Sequence, residues 1–96
     1  MTLDELRSRY RDQIFEIAGR HGASNVRVFG SVARGEAGET SDLDLLVDLE
    51  QGRGLFDLGG LWHDLNEGLG CEVEVFTPDC LKDRIRGRAL GEAVAL

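Results

Sequence analysis

Two aspartates, Asp42 and Asp44, stand at the head of the strongest strand signal in the sequence, "LDLLVDLE". Residues two apart in a strand share a face, so both carboxylates should project side by side. Two negative side chains held this close repel each other unless a cation compensates them. Hard oxygen ligands suit Mg²⁺ or Mn²⁺, which keep several waters and complete their coordination with substrate phosphates. The pair therefore predicts a metal site.

A third carboxylate would complete a two-metal site, and the segment "CEVEVF" offers two. Its valines alternate with Glu72 and Glu74, which predicts a strand with both glutamates on one face. Glu74 is the candidate ligand if this strand lies beside the aspartate-bearing one. Glu72, on the same face, is the second choice, and a solvated strand residue is its simpler interpretation.

Another predicted strand, "NVRVFG", ends at Gly30, and Ser31 follows it. Glycine lets the backbone turn sharply and approach a ligand, and serine can open a helical turn whose free amides hold phosphate oxygens. Arg34, one turn later, could reach the same phosphates. Otherwise Arg34 is a surface cation paired with Glu36 or Glu39. Metal and amides would together hold one triphosphate from two sides.

Gly30-Ser31, ten intervening residues and Asp42-Leu43-Asp44 match the G-S-x(10)-D-x-D signature of the polymerase β-like nucleotidyltransferase superfamily. More closely, "VFGSVARGEAGETSDLDLLVDL" and "GCEVEVFTP" resemble the minimal nucleotidyltransferases, over nearly the entire chain. The resemblance implies a small α+β nucleotidyltransferase fold, a short mixed sheet with helices packed on it. It also implies a Mg²⁺-dependent transfer of a nucleoside monophosphate from a triphosphate to a hydroxyl.

The resemblance assigns roles to individual residues. It implies that Gly30 and Ser31 hold the triphosphate, while Asp42, Asp44 and Glu74 bind the metals and act in catalysis. The position of Glu74 is usually Asp in the family, so the ligand here is one methylene longer.

Many members of this family resemble antitoxins paired with HEPN-type ribonuclease toxins. The resemblance therefore implies transfer of AMP from ATP to a toxin tyrosine, in a hetero-oligomer with the toxin. The alternative is a non-catalytic antitoxin that neutralises the toxin by binding alone. Transfer to a small molecule ranks last, because the related enzymes carry a further domain for the acceptor.

Composition limits the remaining possibilities. The 96 residues predict one domain, residues 1–96, with one modest core. Eighteen acidic against eleven basic side chains give a formal charge of -7, which disfavours direct binding to nucleic acid or anionic membranes. The sequence shows no apolar run near the roughly 20 residues that span a bilayer and no secretion signal, which predicts a cytoplasmic protein. Cys71 and Cys80 lack C-x-x-C spacing and are expected to be free thiols.

Periodicity predicts helix, strand, loop, strand, helix, strand and helix in that order. Helical spacing covers about residues 2–20, with a T-x-x-E capping box at Thr2, then residues 55–69 and 81–90, while "GEAVAL" at the end is ambiguous. Trp62 is expected in the core, and His21 and His63 on the surface or on a helix face. Asp48 shares a face with Asp44 but is about 13 Å further along, too far to share an ion.

Overall fold

A computed structural model of the chain describes residues 1–36 and 42–96. Its first region is helical in three consecutive parts: α1, Leu3–Glu5, a π-helix, Leu6–Tyr10, and α2, Arg11–Arg20. The Thr2 hydroxyl accepts a hydrogen bond from the Glu5 amide at 3.1 Å, as the capping sequence predicts. The predicted helix is therefore confirmed, but a π-helical turn, which side-chain spacing did not indicate, interrupts its α-helical hydrogen bonding.

A four-stranded mixed sheet follows, made of β1, Ala23–Phe29, β2, Leu43–Leu49, β3, Val73–Phe76, and β4, Val94–Ala95. Their order in the sheet is β3-β2-β1-β4. β2 runs parallel to β3, whereas β1 is antiparallel to both β2 and β4. The three predicted strands are confirmed. The ambiguous tail provides the fourth, a two-residue strand too short to show alternation.

The sheet buries apolar side chains on both faces, as the pattern of β2 indicates. Leu43, Leu45 and Val47 point into the main core, where α2 and α3, Leu55–Leu69, cover the sheet. Leu46 points the other way, into a smaller cluster with Phe29 and residues Leu81 and Ala89 at and near α4, Asp83–Glu92. Even-numbered residues of β2 therefore lie on the α4 face.

Helix α3 ends where glycine permits a left-handed turn, since Gly70 has a φ of +66°. Gly60 has a close neighbour at the end of α2, because a Cβ built there would lie 2.9 Å from His21 Cε1, just after that helix. The placement of Trp62 in the core was wrong: its exposed fraction is 47%. Leu58, Leu61 and Leu65 fill the buried stripe, and Trp62, about 100° round the helix from Leu61, faces outward.

Helix α4 begins and ends two residues later than the predicted 81–90. Over residues 1–36 and 42–96, every helix is too short or too polar to cross a membrane. Cys71 and Cys80 are free thiols, as expected, the first half-buried and the second exposed.

Candidate active site

The parallel pairing of β2 with β3 places Asp44 directly opposite Glu74. Residues opposite each other in neighbouring strands share a face, so both carboxylates emerge on the α4 side of the sheet. Both side chains are half-buried, and Asp42, just before β2, is exposed. The side chain of Glu72, the second choice for the third ligand, is also exposed and lies before the first residue of β3.

A side chain from α3 holds this register. The Asn66 amide nitrogen donates to the Val73 carbonyl at 3.0 Å, and the Val73 amide donates to Asn66 Oδ1 at 3.0 Å. Asn66 therefore bonds β3 as a neighbouring strand would, at the residue before Glu74. Spacing within the sequence gave no indication of this contact.

The turn after β1 lies directly against Asp44. Gly30 has a φ of +76°, and a Cβ added there would overlap Asp44 Oδ2 and lie 3.3 Å from Asp44 Cγ. The positive φ favours glycine, and a Cβ at this position would displace the Asp44 carboxylate. The sequence predicts a close backbone approach at Gly30, although to a ligand rather than to Asp44.

Residues Ser31 to Gly35 form a single turn rather than a helix. The Arg34 amide donates to the Gly30 carbonyl at 3.1 Å, and the Glu36 amide donates to the Ser31 carbonyl at 2.9 Å. Within the described part of the chain, the amides of Ser31, Val32 and Ala33 have no acceptor. Such a group of unpaired amides can bind the oxygens of a phosphate.

Burial and neighbouring charges shift the pKa of Asp44. Burial raises the pKa of Asp44 above its ordinary value of 3.8, and the negative charges of Asp42 and Glu74 raise it further. Arg34 acts in the opposite direction, while Glu92 adds to the increase. The site thus holds more negative charge than its own cations compensate, which is the condition under which a divalent cation binds favourably.

Asp42, Asp44 and Glu74 fit a hard divalent metal in their chemistry but do not converge on one point. Among residues 1–36 and 42–96, no three His, Cys, Asp or Glu side chains are grouped closely enough to hold an ion. Like charges separate when nothing compensates them. Ligation would therefore require the carboxylates to rotate towards one another, on strands whose register already places Asp44 beside Glu74.

Arg34 is engaged within the chain. Its Nε donates to Glu36 at 2.9 Å, so the predicted pairing with Glu36 is confirmed. Its Nη1 donates to both carboxylate oxygens of Glu92, each at 3.1 Å. The Gly30 amide also donates to Glu92, at 3.0 Å. The sequence does not indicate Glu92 as a site residue, because 62 residues separate it from Gly30. Glu39 lies outside the described residues.

Other polar residues singled out in the sequence lie away from this group. Asp48 accepts hydrogen bonds from Arg27 at 2.7 Å and from Asn25 at 2.9 Å, so its carboxylate is already compensated. His21 Nε2 lies 2.7 Å from Asp64 Oδ2, on the face of the sheet that α2 and α3 cover, and the His21 ring packs beside Gly60. These contacts give Asp48 and His21 structural roles.

The site is a carboxylate pair opposite a glycine-serine turn on a small mixed sheet. Comparison with known proteins identifies the class of protein that has this arrangement. The family model for nucleotidyltransferase domains matches residues 8–96, so the chain belongs to this family and is an enzyme of the nucleotidyltransferase class. The predicted family and the α+β fold are confirmed.

Individual relatives cover almost the whole chain. "Putative protein adenylyltransferase MJ0435" of Methanocaldococcus jannaschii is 39% identical over 98% of this chain and 97% of its own. A solved "putative minimal nucleotidyltransferase" is 49% identical, with a TM-score of 0.84 over 100% of this chain and 97% of that one. A toxin-antitoxin crystal structure with AMP-PNP has a TM-score of 0.76 over 90% and 71% of the two chains. At 15% identity this last likeness concerns the fold alone.

Proposed function

We propose that this cytoplasmic enzyme transfers AMP from ATP to a protein hydroxyl, a tyrosine of a HEPN-type ribonuclease toxin, and thereby acts as its antitoxin. The observation that carries the proposal is the position of Asp44, between the Gly30 turn and Glu74. A triphosphate held by the turn would have its reacting phosphorus next to the carboxylates. The adenylyltransferase name of the relative and the toxin-antitoxin structure with AMP-PNP support the acceptor class and the nucleotide.

The reaction exchanges one phosphorus-oxygen bond for another. The acceptor hydroxyl oxygen bonds to the α-phosphorus of ATP, and the bond from that phosphorus to the oxygen bridging the α- and β-phosphates breaks. Pyrophosphate leaves with the electron pair of the broken bond. The hydroxyl proton passes to a carboxylate of the pair Asp42 and Asp44.

The chain's own residues bind and orient the reactants in this proposal. The amides of Ser31, Val32 and Ala33 and the Arg34 guanidinium bind the β- and γ-phosphates. Asp42, Asp44 and Glu74 would hold Mg²⁺ or Mn²⁺, which would neutralise charge on the phosphates and lower the pKa of the acceptor hydroxyl. The long methylene arm of Glu74 lets its carboxylate reach towards Asp44 from the opposite strand.

The test is transfer of labelled AMP to the co-purified toxin, followed by intact-mass measurement of both chains. Asp42→Asn and Asp44→Asn should each lower the rate on the order of 100-fold or more, because metal binding contributes several kcal/mol to such a transition state. Asp12→Asn, an equal change of charge on the exposed face of α2, is the matched control and should keep the wild-type rate.

Wild-type rates from Asp42→Asn would contradict the assignment of the metal site. Protection of ribonuclease substrate without any added AMP would contradict the proposed antitoxin mechanism instead. In that outcome the Ser31→Ala, Asp44→Ala double variant should neutralise the toxin one-to-one, which is the behaviour of a protein that acts by binding alone.

A further inference from the structure

The Glu92 carboxylate occupies the turn to which the proposed function assigns the triphosphate. It accepts hydrogen bonds from the Gly30 amide at 3.0 Å and from Arg34 Nη1 at 3.1 Å to each of its oxygens. Its side chain is only 21% exposed. Burial by itself would raise the pKa of Glu92, but the Gly30 amide and Arg34 together lower it below its ordinary value of 4.5. Glu92 is therefore a bound anion that belongs to the chain.

The surroundings of this carboxylate are those of an anion site. A surface cavity of about 340 Å³ lies between the Gly30 turn and α4, and Arg34 and Arg88 both line it. Arg88 attracts the Glu92 charge as well. The planar guanidinium fork of arginine pairs with phosphate in the same way as with carboxylate. A phosphate group entering this cavity would meet donors that Glu92 already uses.

We propose that Glu92 is an internal competitor of the triphosphate: its carboxylate takes the Gly30 and Arg34 donors in the free enzyme, and a nucleotide phosphate must displace it. This inference rests on the proposed function of the turn and adds a residue that sets nucleotide affinity. Glu92 is the last residue of α4, and its contacts with Gly30 and Arg34 are made by its side chain alone. Rotation of its side chain is enough to release both donors.

Displacement of Glu92 would also act on the carboxylates. Glu92 accepts a hydrogen bond from the Gly30 amide, and the Gly30 turn lies against Asp44, so the two negative charges lie near each other. A phosphate that moves this charge away replaces it with one that can share a cation with Asp44 and Glu74. Nucleotide and cation would therefore bind cooperatively, because each removes a source of repulsion for the other.

The experiment is calorimetric titration of the full chain with ATP and Mg²⁺. Glu92→Gln keeps the size and one acceptor of the side chain but removes its charge. We expect its dissociation constant for ATP to fall about three- to tenfold, the range for loss of one partly exposed ion pair together with a nearby like charge. Glu67→Gln, an equal charge change on the exposed face of α3, should bind ATP as the wild type does.

Two further measurements separate competition from a structural role. The gain should be absent for AMP, which lacks the β- and γ-phosphates, and should shrink below twofold when Arg34→Gln is added. Without nucleotide, Glu92→Gln should also melt at a lower temperature, because it has lost an ion pair. A residue with a structural role alone would lower both the melting temperature and the affinity, whereas a competitor moves the two in opposite directions.

Unchanged or weaker ATP binding by Glu92→Gln, with a wild type that binds ATP, would overturn this inference and leave the proposed function intact. No ATP binding by either protein in the presence of Mg²⁺ would overturn both. Transfer kinetics give an independent check, since the KM for ATP should fall in Glu92→Gln while kcat changes little.

Discussion

Replacing Gly30 with alanine tests the contact on which the candidate site depends. The new Cβ has two effects. It must adopt a φ of +76°, and it overlaps Asp44 Oδ2. Gly30→Ala should therefore both destabilise the fold and displace the carboxylate that the proposed mechanism uses. The hydrogen bond donated by the Gly30 amide is unaffected by the substitution itself.

The size of the effect follows from its two parts. A non-glycine residue in the left-handed region costs about 1–2 kcal/mol. Moving the Asp44 side chain off its preferred rotamer costs about 0.5–1.5 kcal/mol more. Their sum, about 1.5–3.5 kcal/mol, corresponds to a fall in melting temperature of roughly 6–28 °C for a domain of this size. Transfer should fall on the order of 100-fold, because a misplacement near 1 Å is enough to do so.

Gly35 provides the matched control. Its φ is +73°, and no described atom lies within 4 Å of a Cβ built there. Gly35→Ala should therefore carry the conformational penalty alone and keep most of its transfer activity. Thermal denaturation and AMP transfer are measured for both variants. Combining Gly30→Ala with Asp44→Ala should reduce its destabilisation to that of Gly35→Ala.

Equal melting temperatures and equal transfer rates for Gly30→Ala and Gly35→Ala would refute this reasoning. They would show that Asp44 moves aside without loss and that the close approach of turn and carboxylate does not matter. Additivity in the double variant would lead to the same conclusion, since contacting residues should show a coupling free energy.

Two further predictions concern stability. The folded-state pKa of Asp44 lies above its ordinary 3.8, so ionisation of Asp44 lowers the free energy of unfolding as pH rises from below 3.8 through the folded-state pKa. Asp44→Asn should therefore gain stability over the wild type across that rise in pH, by up to about 1 kcal/mol after screening. Urea denaturation at a series of pH values measures the difference. A difference that does not change with pH would contradict the prediction. Leu45→Ala should lower the free energy of unfolding by about 2–5 kcal/mol, because Leu45 is fully buried on β2. Leu55→Ala, at a 78% exposed position, should change it by less than about 0.5 kcal/mol in the same urea titration, and similar losses at both positions would be inconsistent with the described core.

Local pattern was enough to predict most of the fold. The alternation of Leu43, Leu45 and Val47 predicts β2, and the glycine that follows α3 predicts the end of that helix. Both signals depend on neighbouring residues only. β4 was missed because two residues cannot display a period. The exposure of Trp62 was missed because the apolar residues of α3 form a stripe wider than the sheet can cover. The sheet buries Leu58, Leu61 and Leu65 and leaves Trp62 exposed.

Residues of the candidate site could be predicted only where a sequence motif or the alternation of a strand indicates them. Gly30, Ser31, Asp42 and Asp44 follow from spacing, and Glu74 from the alternation of β3. The role of Glu92 could not be predicted, since α4 returns it to Gly30 from far along the chain. Whether a side chain converges with others on an ion also depends on rotamers, which spacing does not determine.

The hydrogen bonds between Asn66 and Val73 have a consequence for anyone who wishes to redesign this enzyme. A shift of β3 by one residue would carry Glu74 to the opposite side of the sheet, into the apolar layer. Asn66 opposes that shift from α3, which packs on the face of the sheet opposite to Asp44 and Glu74. Engineers who randomise α3 should therefore leave Asn66 unaltered. Otherwise we expect well-folded chains in which the Glu74 carboxylate is misaligned.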